Sequence, residues 1–168
     1  NFAPSMTEII LLLGSNLGDR EDNLKFAIKK LEHSVGKIIS LSSIYESEPW
    51  GFEHANFFLN LCVKIETSFS AENVLEKILE IEKDLGRIRT GKITAREIDI
   101  DILFYGNQEI KTEKLIVPHP RLSQRMFALI PLKEITNSVL PVINKTPEEL
   151  IIQCSDKLMV KRLTIPVI

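Results

Sequence analysis

The chain has 168 residues, 44% of them hydrophobic and 26% charged, with a formal net charge of -2. That length supplies one domain with a proper core and excludes two ordinary ones. Near-neutral charge argues against a general nucleic-acid binder with a basic surface, and no apolar run approaches the roughly 20 residues that cross a bilayer.

The short run Ile9 to Leu13 lacks the length and basic flank of a secretory signal, so a cytoplasmic location is expected. Asn1 to Ser5 read as an expression scar, with the native start at Met6 and a single domain over 6–168. Cys62 and Cys154 stand in no metal-ligand spacing and read as one buried and one incidental free thiol.

In chain order, Ile9 to Leu13 suits a buried strand, ending in the turn Gly14-Ser15-Asn16-Leu17-Gly18. The glycine and lysine spacing of a P-loop is missing there, which favours a structural turn. Asp19 is a candidate cap for a helix over Arg20 to His33, with Leu24, Ala27, Ile28 and Leu31 at helical spacing. A second strand is predicted over Ile38 to Glu46. The proline- and glycine-bearing loop Ser47-Glu48-Pro49-Trp50-Gly51-Phe52 follows, and its two aromatic rings imply something to bind or bury against.

A third strand is predicted from Phe57 to Thr67. Asn60 sits inside its apolar sequence, where an amide serves either a structural bond to a neighbouring loop or recognition of a flat heterocycle's edge. Ser70 caps a helix over Ala71 to Leu85 with Val74, Leu75, Ile78, Leu79 and Ile81 as its apolar stripe, and Gly86 ends it. Glu72, Glu76, Glu80 and Glu82 read mostly as a solvated face; only Glu82, beside the following loop, is a candidate for a ligand role.

That loop is basic, with Arg87, Arg89, Lys92 and Arg96, and it feeds an alternating run from Glu97 to Phe104. Alternation with β-branched residues predicts a strand whose Ile98, Ile100, Ile102 and Phe104 face one way and Asp99 and Asp101 the other. At a rise of ~3.3 Å per residue the two aspartate Cα atoms lie roughly 6 to 7 Å apart, close enough to converge on one ion or an adjacent pair. A solvated polar face and a structural salt-bridge cluster explain the same residues. So does a polyphosphate clamp in which metal and cation share the work.

Past Phe104, Glu109 to Val117 reads as a short hairpin. Pro118-His119-Pro120-Arg121 forms a stiff bend, and a short helical segment carries Arg125 and Phe127 through about Pro131. Thr146 to Cys154 reads as a peripheral helix followed by a tail without evident function. The order strand, helix, strand, then strand, helix, strand predicts an α+β fold. Its architecture is a ferredoxin-like α/β sandwich, two βαβ units on one mainly antiparallel sheet with both helices on one face, plus C-terminal helical additions.

The run Arg96-Glu97-Ile98-Asp99-Ile100-Asp101-Ile102 resembles the signature of the 6-hydroxymethyl-7,8-dihydropterin pyrophosphokinase family of folate biosynthesis, and the similarity extends from about Ile9 to Leu132. The resemblance implies transfer of pyrophosphate from ATP, the co-substrate, to the pterin alcohol, with AMP leaving. It implies that Asp99 and Asp101 hold two Mg²⁺ ions. Arg87, Arg89, Lys92 and Arg96 are then on the ATP phosphates, with Arg87 and Arg96 catalytic alongside the aspartates. His119 and Arg125 match further nucleotide positions, and Glu82 and Ile102 border the adenosine. Phe58 and Phe127 would sandwich the pterin, Asn60 would read its amide edge, and Ser47, Pro49 and Trp50 would line the remaining side. The loops Ser47 to Phe52 and Arg87 to Ala95 would close over both substrates.

Some positions depart from the family pattern. Ile93-Thr94 stands where many relatives have an aromatic residue and a glycine in a longer loop, and Phe58 replaces a tyrosine of some relatives. The implied partners are small molecules only, with a monomer expected and neither nucleic acid nor membrane. Two other classes remain: a non-catalytic ferredoxin-like nucleotide sensor, and a small RNA-binding module, against which the charge balance and the paired acids argue.

Overall fold

The structure, a computed structural model, describes residues 5–51, 56–86 and 97–167. It begins with strand β1 (Thr7–Ser15), helix α1 (Arg20–Ser34), strands β2 (Lys37–Leu41), β3 (Tyr45–Ser47) and β4 (Phe58–Thr67), and helix α2 (Ala71–Asp84). It continues with β5 (Asp99–Tyr105), the hairpin of β6 (Ile110–Lys111) and β7 (Ile116–Val117), α3 (Met126–Ile135), α4 (Pro147–Gln153) and β8 (Val160–Arg162). The main sheet runs β5-β1-β4-β3-β8, with β2 also on β4, and its pairings are antiparallel. This is the expected ferredoxin-like sandwich. Among the described residues no helix is long and apolar enough to cross a membrane.

β1 shows why its sequence is continuously apolar. Ile9, Leu11 and Leu13 enter one core with the buried faces of α1 and α2, while Ile10 and Leu12 enter a second with Leu129 and Leu132 of α3 and Leu150 of α4. A strand covered on both faces loses the usual polar alternation. Each fully buried Leu or Ile contributes about 1.5–3 kcal/mol. The C-terminal helices therefore cover the sheet's second face, which the first two leave open.

Both predicted helix caps are present. Asp19 accepts from the Asp22 amide at 3.0 Å, and Ser70 accepts from the Asn73 amide at 3.2 Å. Gly86 follows α2 with φ of 85°, the left-handed conformation that favours glycine at a helix end. Leu79 is 40% exposed, off the stripe formed by Val74, Ile78 and Ile81. Glu82, four residues after Ile78, takes the stripe's next position and is 2% exposed, so it does not belong to the solvated face.

The strand expected over Ile38 to Glu46 is two strands. Ser42 interrupts it, its hydroxyl accepting from the Cys62 amide at 2.9 Å while its own amide donates to the Cys62 carbonyl at 2.9 Å. Phe104 also departs from expectation. The β1–β5 register pairs Leu11 with Ile102 but Ile10 with Phe104, so an extra residue is inserted at Leu103. This bulge turns Phe104 into the second core, while Ile98, Ile100 and Ile102 keep the first.

The helix expected to stop near Pro131 runs on to Ile135 because Leu132 is still needed in the second core. The tail, unassigned in sequence, returns to the sheet: β8 adds to β3, pairing Val160 with Ser47 and Arg162 with Tyr45. Cys62 and Cys154 are both free and buried in the second core, and burial pushes the Cys62 thiol above its usual range.

Candidate active site

The site lies on the sheet face covered by α3. Across three neighbouring strands the register sets Asn60 of β4 opposite Gly14 of β1, and Gly14 opposite Asp99 of β5. The next row on this face holds Cys62, Leu12 and Asp101. Asp99 and Asp101 therefore share a face, as their alternation predicts, and both are half-buried.

Gly14 makes the floor between the amide and the carboxylate. A Cβ there would lie 3.2 Å from Asn60 Oδ1 and 3.5 Å from Phe58 Cδ1. Only a residue without a side chain leaves that space unfilled. Asn60 is buried and donates through Nδ2 to Ser47 Oγ at 2.7 Å. That bond is the structural one the sequence leaves open. It also ties the Ser47 end of β3 to this face of the sheet. Phe58, 7% exposed, sits beside Gly14 on the same face.

Arg125, immediately before α3, connects this floor to the aspartates. Its Nη1 lies 3.8 Å from Asp101 Oδ2, and its guanidinium carbon is 4.7 Å from the Trp50 ring centroid and 5.6 Å from that of Phe127. Arg121 approaches Trp50 from 5.9 Å. Stacking of guanidinium on aromatic faces holds a cation without neutralising it. The sequence places Trp50 in one segment and Arg125 with Phe127 in another, some 75 residues on; the fold brings them together. Arg121 joins them too, which its position in a proline-bounded bend does not signal.

His119 adjoins the same cluster. Burial, then the positive charge of Arg125, lowers its pKa to about 4, although Asp99 pulls the other way. It is thus neutral at neutral pH. Nδ1 accepts from the Arg121 amide at 3.2 Å, which leaves the proton on Nε2 as a donor. The His119 amide in turn donates to the Leu103 carbonyl at 3.1 Å, docking this bend on β5.

Two other expected nucleotide residues look inward. Glu82 Oε2 accepts from the Ile100 amide at 2.8 Å, which pins the outer edge of β5 between its two aspartates. The Ile102 side chain is 4% exposed in the first core, on the opposite face of β5 from the aspartates. Arg87, Arg89, Lys92 and Arg96, and with them the whole loop from Arg87 to Ala95, lie outside the described residues, as does Phe52. Pro49 lies in the chain between β3 and Trp50 and is half-buried.

Among the described residues no group of three His, Cys, Asp or Glu could by itself hold a metal. The donor set suits magnesium all the same, because that ion commonly takes one or two carboxylates and completes its shell with phosphate oxygens and water. A carboxylate pair facing a guanidinium across one sheet face is an arrangement used for phosphoryl transfer.

Comparison with known proteins bears on this geometry. The family model for 7,8-dihydro-6-hydroxymethylpterin-pyrophosphokinase (HPPK) matches residues 10–137. The chain is 45% identical over 130 residues to the 2-amino-4-hydroxy-6-hydroxymethyldihydropteridine pyrophosphokinase of Bacillus subtilis, covering 77% of this chain and 78% of that one. With its counterpart from Aquifex aeolicus it shares 44% identity over 142 residues, 84% and 88% of the two chains. The chain therefore belongs to the HPPK family and, with it, to the diphosphotransferases. A solved wild-type HPPK-DHPS from Plasmodium falciparum shares the fold at 18% identity with a TM-score of 0.69, over 89% of this chain and 45% of that larger one.

Proposed function

We propose that the protein transfers the pyrophosphoryl group of ATP to 6-hydroxymethyl-7,8-dihydropterin, releasing AMP and the pterin diphosphate in folate biosynthesis. The observation that carries this reading is the row Asn60, Gly14 and Asp99 on one sheet face, with Arg125 next to Asp101. It sets a hydrogen-bonding amide and a carboxylate on opposite sides of Gly14, which supports a reading in which one holds the heterocycle and the other the metal. Family membership supplies the substrates' identity.

In this reading Asp99 and Asp101 hold two Mg²⁺ ions, which when bound neutralise phosphate charge and favour ionisation of the attacking alcohol. The protein's own contribution is positioning and charge. Phe58 and Phe127 take the pterin ring between them, and Asn60 reads its amide edge. Ser47 holds Asn60 in orientation. Arg125, pre-aligned by Trp50 and Phe127, faces negative charge that accumulates on the transferring phosphates. Neutral His119 donates from Nε2 to a phosphate oxygen without adding a second positive charge beside Arg125. Arg87, Arg89, Lys92 and Arg96 complete the clamp, and closure of the two loops excludes water, whose attack would waste ATP.

The test is nucleotide product analysis with ATP, Mg²⁺ and 6-hydroxymethyl-7,8-dihydropterin, omitting each in turn. AMP is expected only when all three are present. ADP would show a simple kinase on the same scaffold; ATP binding without turnover would show a sensor.

A further inference from the structure

We propose that Asp156, on the C-terminal segment outside the family-matched residues, is a positioning residue for this reaction, holding the first turn of α3 and through it Arg125 and Phe127. The inference rests on the proposed transfer reaction for its kinetic meaning and on geometry for its structural one. α3 begins without a side-chain cap of its own, Arg125 at its N-cap making no such bond. Instead Asp156 Oδ2 accepts from the Met126 amide at 3.0 Å, and Asp156 Oδ1 accepts from the Leu158 amide at 2.9 Å. One carboxylate thus ties the tail to the helix start, with each oxygen occupied.

Met126 lies between Arg125 and Phe127, so the amide held by Asp156 belongs to the backbone joining the two site residues. This turn also has less internal support than an ordinary one. Pro131 has no amide hydrogen to return to the Phe127 carbonyl, four residues back. An outside acceptor at Met126 therefore carries more of the turn's orientation.

The tail contacts the other end of α3 as well. Arg162 Nη2 lies 3.6 Å from Glu134 Oε1, and its Nε donates to Ser43 Oγ at 2.9 Å. Glu134 falls in the helix's last turn, roughly 12 Å from Met126 at 1.5 Å per residue. Arg162 therefore anchors the tail without touching the site, and its variant reports what general loosening does.

The experiment compares D156A, D156N and R162A in the full chain by thermal midpoint, steady-state kinetics and fluorescence. Trp50 is the chain's one tryptophan and stacks on Arg125, so its emission reports the arginine's position. D156A is expected to raise the pterin KM about tenfold, the size of a lost charge-assisted hydrogen bond, and to shift Trp50 emission in the free protein. D156N, with one acceptor oxygen in place of two, falls between; it serves as the test variant should D156A not fold. R162A lowers the midpoint but keeps both KM and emission. Wild-type emission and KM in the Asp156 variants would overturn the proposal, as would equal changes in R162A. Should the wild-type protein yield no AMP, the transfer reaction fails, and the emission comparison alone decides whether Asp156 positions Arg125.

Discussion

Glu82→Ala separates two roles for a buried carboxylate beside the site. Glu82 is 2% exposed and accepts from the Ile100 amide at 2.8 Å, between Asp99 and Asp101. Alanine leaves that amide without its acceptor in a buried place, at a cost of about 2 kcal/mol. In a chain of this size that lowers the thermal midpoint by about 4 to 8 °C. The strand edge that sets the aspartates also loosens, and kcat is expected to fall at least about tenfold, since small misplacements at a reacting centre are expensive. Glu82→Gln keeps an acceptor oxygen and is expected to retain most of both. Differential scanning fluorimetry with initial rates at saturating ATP measures the two effects. A Glu82→Ala protein with an unchanged midpoint and kcat but a raised KM for ATP would refute the reasoning and return Glu82 to the nucleotide.

Asp99→Asn and Asp101→Asn are each expected to lower kcat about a thousandfold or more with thermal midpoints near that of the wild type, because metal charge stabilisation is worth several kcal/mol; near-normal turnover in both would end the metal assignment. Gly14→Ala puts a methyl 3.2 Å from Asn60 Oδ1 and is expected to raise the pterin KM about tenfold at a stability cost of about 1 kcal/mol, with the ATP KM unchanged. An equal rise in both KM values would show that Gly14 is not a pterin floor. Burial, with a hydrogen bond to Glu134, pushes the Tyr45 hydroxyl up to about 12. The unfolded chain releases this proton near pH 10 and the folded one does not. Its stability contribution is therefore full below pH 10 and lost between pH 10 and about 12, a loss that Tyr45→Phe should remove from unfolding curves recorded across that range.

The sequence makes the helices legible through caps and stripes, because Asp19, Ser70 and Gly86 act within a few residues of where they stand. The aspartate pair is legible because a strand's alternation is local. Phe104 is not, since its face depends on a bulge against β1 that no property of β5 alone specifies. Glu82 reads as one acid among several, and only the helical spacing from Ile78 places it inward. The Arg125, Trp50 and Phe127 cluster is assembled from segments separated in sequence. β8 escapes because Val160, Lys161 and Arg162 form a three-residue edge strand too short to show alternation. Asp156 escapes for a related reason: its partner amide is 30 positions away.

The row from Asn60 through Gly14 to Asp99 makes the sheet a ruler. Neighbouring strands lie about 4.8 Å apart, so the amide and the acid are separated by two ladder steps, about 10 Å, at their Cα atoms. Main-chain hydrogen bonds fix that distance, and neither surrounding loop can stretch it. Loop sequences can then vary while the reach from recognised ring to transferred group stays constant. On the proposed reading, discrimination against an alcohol one methylene longer is built into β-sheet geometry, and loop engineering alone should not relax it.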